Sequence, residues 1–165
     1  MAKSKHLTNF ERQQIEIWLN QRVSIKKIAA YLERSTSTIT REIIKRSVES
    51  NYKPPYRIQN RCKHQVNCSK RYLCENKPNC TKLCKLCNLC NRLCTDFEEE
   101  ICQHLFSPPY VCNGCSNEYR CVLRKKYYKH NIAHKNYRQI LVESRTDVNI
   151  SENELPKIDE FLSPL

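Results

Sequence analysis

The sequence predicts a mainly α protein, with a three-helix unit over residues 1–50, a cysteine-rich region with little regular structure over 51–125, and a helical tail over 126–165. Three observations predict it. Apolar residues in the first fifty positions recur with a period near 3.6 rather than 2. All twelve cysteines of the 165-residue chain fall between residues 51 and 125. Between the two lies Asn51-Tyr52-Lys53-Pro54-Pro55, and consecutive prolines favour extended chain over helix, so this stretch reads as a linker.

The first helix is expected to begin at Thr8, where Glu11 three residues on completes a capping box. Ile15, Trp18 and Leu19 then form an i, i+3, i+4 face, and the helix ends near Asn20. The second follows Ser24 and carries Ile25, Ile28, Ala29 and Leu32 on one side. After Glu33-Arg34, the run Ser35-Thr36-Ser37-Thr38 supplies hydroxyl caps for a third helix, whose Ile39, Ile43 and Ile44 are expected to pack back on the second. A short helix, a tight turn and a capped helix make the helix-turn-helix pattern.

The third helix also carries groups suited to reading DNA. Ser35, Thr36, Ser37 and Thr38 place short hydroxyls beside free backbone N–H groups, which suits phosphate oxygens and base edges. Thr40 and Arg41 lie opposite Ile39 and Ile43, so Arg41 is placed to reach a guanine edge while Lys45 and Arg46 contact phosphates. The plainer reading is a three-helix bundle whose Ser/Thr run only caps a helix. Length, capping and basic residues together favour the DNA-reading face.

Charge agrees with that choice. Lysine and arginine outnumber aspartate and glutamate by 29 to 17, a formal excess of +12 that points to a polyanionic partner, with double-stranded DNA ahead of an anionic membrane. The excess lies in residues 1–125, because the last forty residues hold six charges of each sign. The longest apolar run, residues 28–32, is far short of the roughly twenty residues of a membrane span. No apolar core of a secretory signal follows Met1, so a cytoplasmic, reducing location is expected, where abundant cysteine means metal more often than disulfide.

The cysteines are Cys62, Cys68, Cys74, Cys80, Cys84, Cys87, Cys90, Cys94, Cys102, Cys112, Cys115 and Cys121. Cys84-x2-Cys87, Cys87-x2-Cys90 and Cys112-x2-Cys115 have the knuckle spacing that closes two thiolates on one tetrahedral ion, and twelve ligands suffice for three structural four-thiolate zinc sites. Cys102, Cys112, Cys115 and Cys121 form the clearest set, because Gly114, the one glycine of the chain, sits inside the knuckle where a positive φ is easiest for glycine. The other eight partition in more than one way: Cys84, Cys87, Cys90 and Cys94 form one cluster, or they are shared between two interleaved sites with Cys62, Cys68, Cys74 and Cys80. His64 and His104 stand near enough to replace a thiolate, although solvated histidines are commoner. Arg57, Arg61, Lys63, Lys70, Arg71, Lys82, Lys85 and Arg92 interleave with the cysteines, either following a phosphate backbone or keeping the region soluble. The acidic run 96–100 reads as a solvated turn or helix start.

From about Val122, the positions Tyr127, Tyr128, Ala133, Tyr137, Ile140 and Leu141 share one helical face through about Ser144, suiting a packing helix or the contact of a homodimer. A capping box at Ser151 and Glu154 predicts a further helix with Leu155, Ile158 and Leu162.

Several of these runs resemble a known family. His6-Leu7-Thr8, then residues 24–29 (SIKKIA), then residues 34–43 (RSTSTITREI), are similar to the N-terminal helix-turn-helix of the insertion sequence 30 family of bacterial transposases. Residues 108–115 (PPYVCNGC), followed by Tyr127-Tyr128 and residues 141–145 (LVESR), resemble the cysteine-bearing segment and following helix of its members from low-GC Gram-positive bacteria. The family usually has glycine where Glu33 stands and proline at Thr36. The resemblance implies binding to terminal inverted repeats in a bacterial cytoplasm. Members continue into an RNase H-like domain with an Asp-Asp-Glu triad, whereas the aspartates here are Asp96, Asp147 and Asp159, with no βα alternation to gather them. The expectation is thus a truncated transposase that binds DNA without strand transfer. A stand-alone zinc-containing regulator and a zinc-bound protein-interaction module are the alternatives.

Overall fold

The computed structural model describes residues 6–50, 53–74 and 79–146. Three helices open it: α1 (Asn9–Asn20), α2 (Ile25–Tyr31) and α3 (Thr36–Arg46). Each begins where a hydroxyl is available to cap it. The Thr8 Oγ1 accepts from the Glu11 N–H at 3.1 Å while the Thr8 N–H donates to the Glu11 carboxylate at 2.7 Å, the reciprocal pair expected at this start. Ser24 caps α2 and Ser35 caps α3.

The two inter-helix turns are built alike. After α1, the Arg22 N–H bonds the Leu19 carbonyl and the Val23 N–H bonds Trp18; after α2, the Glu33 N–H bonds Ala30 and the Arg34 N–H bonds Ala29. These are Schellman closures, and their pivots Arg22 and Glu33 have φ of 60° and 50°. The turn between α2 and α3 therefore takes the left-handed conformation on a residue with a Cβ, at a position where the resembled family uses glycine.

Ile15, Ile28, Ile39 and Ile43 are fully buried, each stabilising the unit by about 1.5–3 kcal/mol, and Leu7, Leu19, Ile25, Ala29 and Leu32 complete the face. Ile44 does not join them. It is 45% exposed, one residue past the buried Ile43, and so on the outer side of α3. Val111, Tyr128 and Ala133 enter the same core from the far end of the chain.

Beyond α3, β1 (Val48–Ser50) pairs antiparallel with β2 (Lys125–Tyr127), in the register Val48 to Tyr127 and Ser50 to Lys125. Between them lie a 3-10 turn at Cys84–Leu86, the one-turn helix α4 (Cys90–Leu93) and a 3-10 turn at Gln103–Leu105. The last element is α5 (His130–Thr146). The tail thus starts differently from its helical spacing. Lys125 and Tyr127 are buried with Lys126 between them less so, a period of two that serves the β1 edge, and helix begins only at His130. There the Glu16 carboxylate accepts from the His130 N–H and its ring Nδ1 at 2.7 Å, anchoring the start of α5 on α1. The helix expected after Ser151 lies outside the described residues.

Gly114 has φ +68°, and a Cβ added there would stand 2.5 Å from the Asn20 carbonyl oxygen and 2.8 Å from that of Leu19. Both obstacles are backbone at the end of α1. Gly114→Ala should therefore destabilise the fold by at least about 2 kcal/mol in urea unfolding, and a change under about 0.5 kcal/mol would show that the knuckle does not pack on α1.

Candidate nucleic-acid interface

The outer face of α3 is where the sequence places it, with differences in detail. Thr36, Ser37, Arg41 and Lys45 are exposed, while Thr38 and Thr40 are half-buried. The Ser35 hydroxyl is engaged within the first turn: it accepts from the Thr38 N–H at 3.1 Å and lies 3.0 and 2.7 Å from the Ser37 and Thr38 hydroxyls. Exposed Ile44 adds an apolar patch beside Arg41, the kind of surface that meets a thymine methyl group.

Arg46 departs from expectation. It is 9% exposed, its Nε donates to Glu42 at 3.2 Å, and its guanidinium lies over the Tyr137 ring at 5.3 Å. One turn past Glu42 on the inner side of α3, it belongs to the interior rather than to a phosphate.

Glu42 is the centre of that interior cluster. It accepts from the Nε of Arg12 at 2.7 Å, from Arg46, and from the Tyr128 hydroxyl at 3.2 Å, so α1, α3 and the β2–α5 junction share one carboxylate. Arg12 is only 1% exposed, also donates to the Leu7 carbonyl at 2.8 Å, and stacks on Tyr137 at 4.4 Å. Burial, then the Glu42 charge, pushes the Tyr128 hydroxyl's pKa well up, so it stays a neutral donor. Sequence reasoning missed Arg12, Glu42 and Tyr128. The one local signal was the i, i+4 pair Glu42 and Arg46, which reads equally as a surface pair.

A second ion pair ties the turn to α1. Arg34 donates from Nε to Glu11 at 2.8 Å. Burial alone would raise the Glu11 pKa, but the bonds from Arg34 and Thr8 outweigh it and hold the carboxyl below its ordinary value of 4.5. Outward from these pairs, Arg41, Lys45, Thr38 and His6 line one shallow recess over Arg12 and Glu42.

In the cysteine region all twelve thiols are free of disulfides. Three cavities each take four of them: one is lined by Cys74, Cys80, Cys84 and Cys87, another by Cys62, Cys68, Cys90 and Cys94, and a third by Cys102, Cys112, Cys115 and Cys121. Burial, with smaller contributions from Cys94, Cys62 and Cys68, pushes the Cys90 thiol up to about 11, and burial followed by the other three thiols of its cavity raises Cys112. Lysines line all three, Lys82 the first, Lys70 and Lys85 the second, and the buried Lys125 the third. Among the described residues, no three His, Cys, Asp or Glu side chains are drawn together as a group that could hold a metal ion. The thiols line the cavities and stand apart. His64 is bonded to Glu98 at 3.0 Å, and His104 lies at the third cavity.

Part of the basic surface here is met by carboxylates. Lys63 pairs with Glu98, Lys70 with Asp96, and Arg61 and Arg124 with Glu99, so Asp96, Glu98 and Glu99 are ion-pair partners, and the backbone of Glu99 forms an isolated antiparallel bridge with that of Cys62. Arg57, Arg71, Lys82 and Arg92 are exposed, so positive surface is offered by this region as well as by α3 and its recess. Among the described residues no helix is long and apolar enough to cross a membrane.

Residues 3–46 match the family model of a helix-turn-helix domain, a family found in transposases. No curated protein and no solved structure gives a match.

Replacing Glu42 by alanine leaves Arg12 buried without its carboxylate and should cost about 3–5 kcal/mol in chemical denaturation; a loss below about 1 kcal/mol would show that the cluster does not bind the helices together. The Glu11 shift has a pH consequence of definite sign. A depressed carboxyl stabilises the fold fully above about pH 4.5 and loses that contribution as pH falls through its folded value. Glu11→Gln should accordingly flatten the fall in stability between about pH 5 and 3, and an unchanged slope would contradict the pairing.

Proposed function

We propose that the chain is a sequence-specific binder of double-stranded DNA, equivalent to the inverted-repeat-binding part of a transposase, and that it does not itself carry out strand transfer. The observation that carries this reading is the exposed, capped α3, with Arg41 and Lys45 outward and every acidic neighbour on its inner side paired. In a major groove, the helix N-terminus and the Thr36 and Ser37 hydroxyls meet the phosphate backbone, Arg41 reaches a guanine O6 and N7, and Lys45 meets the phosphate that follows. The Glu42 carboxylate, which would repel DNA if bare, is neutralised by Arg12 and Arg46 beneath the recess. Strand transfer is no part of this reading: among the described residues no three carboxylates are grouped to hold a metal ion, and Asp96 is exposed and paired with Lys70.

The cysteines hold structural zinc in this reading. Their donor set fits: three groups of four thiols, none oxidised to a disulfide, each with a lysine to offset the −2 charge of a four-thiolate zinc centre. A zinc ion so ligated has no open position and supplies rigidity rather than a reactive water. Twelve thiolates and three Zn²⁺ would lower the formal charge from +12 to about +6, still attractive to DNA.

Duplexes selected from a randomised pool provide the test. Arg41→Ala should lose about 1–3 kcal/mol on the selected duplex and far less on random DNA, while Lys45→Ala should weaken both alike and reduce the salt slope by about one. Equal losses for Arg41→Ala on both, or no duplex retained at low salt, would overturn the reading.

A further inference from the structure

The structure assigns the twelve cysteines to three zinc sites of which two are nested in the chain: Cys62, Cys68, Cys90 and Cys94 form an outer site that encloses an inner one of Cys74, Cys80, Cys84 and Cys87, while Cys102, Cys112, Cys115 and Cys121 form a separate third. This assignment rests on the zinc reading above and adds which thiols share an ion. The spacing suggested a tandem split as readily, with 62, 68, 74 and 80 on one ion and 84, 87, 90 and 94 on the next. The nested division follows two cavities, one lined by Cys62, Cys68, Cys90 and Cys94 and the other by Cys74, Cys80, Cys84 and Cys87.

Asparagine side chains lace the two ends of the outer set together. The buried Asn60 accepts from the Cys62 N–H at 2.9 Å and donates to the Lys85 carbonyl at 3.0 Å, and Asn91 accepts from the Arg61 N–H at 3.0 Å. Asn88 accepts from the Gln59 N–H at 2.6 Å. Residues 59–62 are thus strapped along residues 85–91, which brings Cys62 beside Cys90 and keeps it from the loop carrying Cys74 and Cys80. The inner set is closed at its base, where the Cys84 N–H donates to the Lys70 carbonyl at 2.9 Å. Backbone turns close both 84–87, with the Cys87 N–H on the Cys84 carbonyl at 3.0 Å, and 87–90, with the Cys90 N–H on the Cys87 carbonyl at 3.3 Å, but Cys84 and Cys87 line one cavity and Cys90 the other. At Cys90 the chain enters α4, whose single turn sets Cys94 one turn after Cys90 on the same side. The division between ions therefore falls between Cys87 and Cys90, inside an x2 spacing that by itself reads as a knuckle.

Closing each set needs its thiols to turn inward from the cavity wall, a movement that metal binding itself drives in small thiolate sites.

The two partitions make opposite forecasts for paired substitutions, read as zinc stoichiometry of the full chain by native mass spectrometry. The unsubstituted protein should carry three zinc ions. Cys62→Ser with Cys94→Ser should leave two, because both ligands belong to one site; Cys62→Ser with Cys80→Ser should leave one. The reverse result establishes the tandem split and overturns the nesting while leaving the zinc reading intact. Protein loaded with excess zinc that retains none overturns the zinc reading and the assignment with it. Should a paired variant fail to fold, partial stripping of the unsubstituted protein by a chelator, followed by alkylation and peptide mapping, answers the same question. Cys62 and Cys90 labelled in the same step support the nesting, and Cys62 labelled in step with Cys74 and Cys80 overturns it.

Discussion

One carboxylate in a dry place holds this molecule in shape. Glu42 projects from the inner side of α3 into a space shared by Arg12 of α1, Arg46 one turn on, and the Tyr128 hydroxyl. An unpaired charge there would cost several kcal/mol, so all four groups must be present together and in register. The cluster ties the inner side of α3 to α1 and to the β2–α5 junction, and so leaves the opposite side of the helix to solvent. It also removes Arg46 from the surface and leaves Arg41 and Lys45 as the outward cations of the helix.

The cysteine-bearing segment is part of that same body. Asn113, buried between the two thiols of its knuckle, donates to Asn20 at 2.9 Å and to the Tyr128 carbonyl at 3.1 Å, and accepts from the Tyr128 N–H at 2.8 Å. Gly114 lets the knuckle lie on the last turn of α1 without a gap. Whatever fixes Cys112 and Cys115 is thereby felt at the start of the helix-turn-helix, through two side-chain amides and a backbone contact, whereas the outer and inner cysteine sets sit further off and meet this body by way of Arg124 and Glu99.

Local signals were legible wherever a residue and its partner are close in the chain. Thr8 with Glu11, Ser24, and Ser35 each start a helix as their spacing implies, because a cap is a three-residue affair. The isoleucine stripe gave the core of the bundle for the same reason. Ile44 falls outside that stripe because it stands about 100° round the helix from Ile43, whereas Arg46, seven residues after Ile39 and three after Ile43, lies within it and is buried there although it is charged. Tyr127 shows the other limit: its place on a helical face with Ala133 and Tyr137 is overridden by the edge offered by β1, nearly eighty residues earlier, which takes it into a strand. The grouping of the cysteines lay beyond spacing altogether, since it depends on asparagines at 60, 88 and 91 whose partners are some thirty residues away.

The pairing of β1 with β2 has an architectural consequence. The chain departs at Ser50 and comes back at Lys125, which is its partner across the ladder. The intervening stretch is therefore a side excursion whose two ends are pinned at neighbouring points, and lengthening such a detour costs little, since closure entropy grows only with the logarithm of its length. Insertions or deletions in the outlying portion of that detour would therefore leave the three-helix unit almost unburdened, as a pendant can change size without disturbing the clasp that holds it.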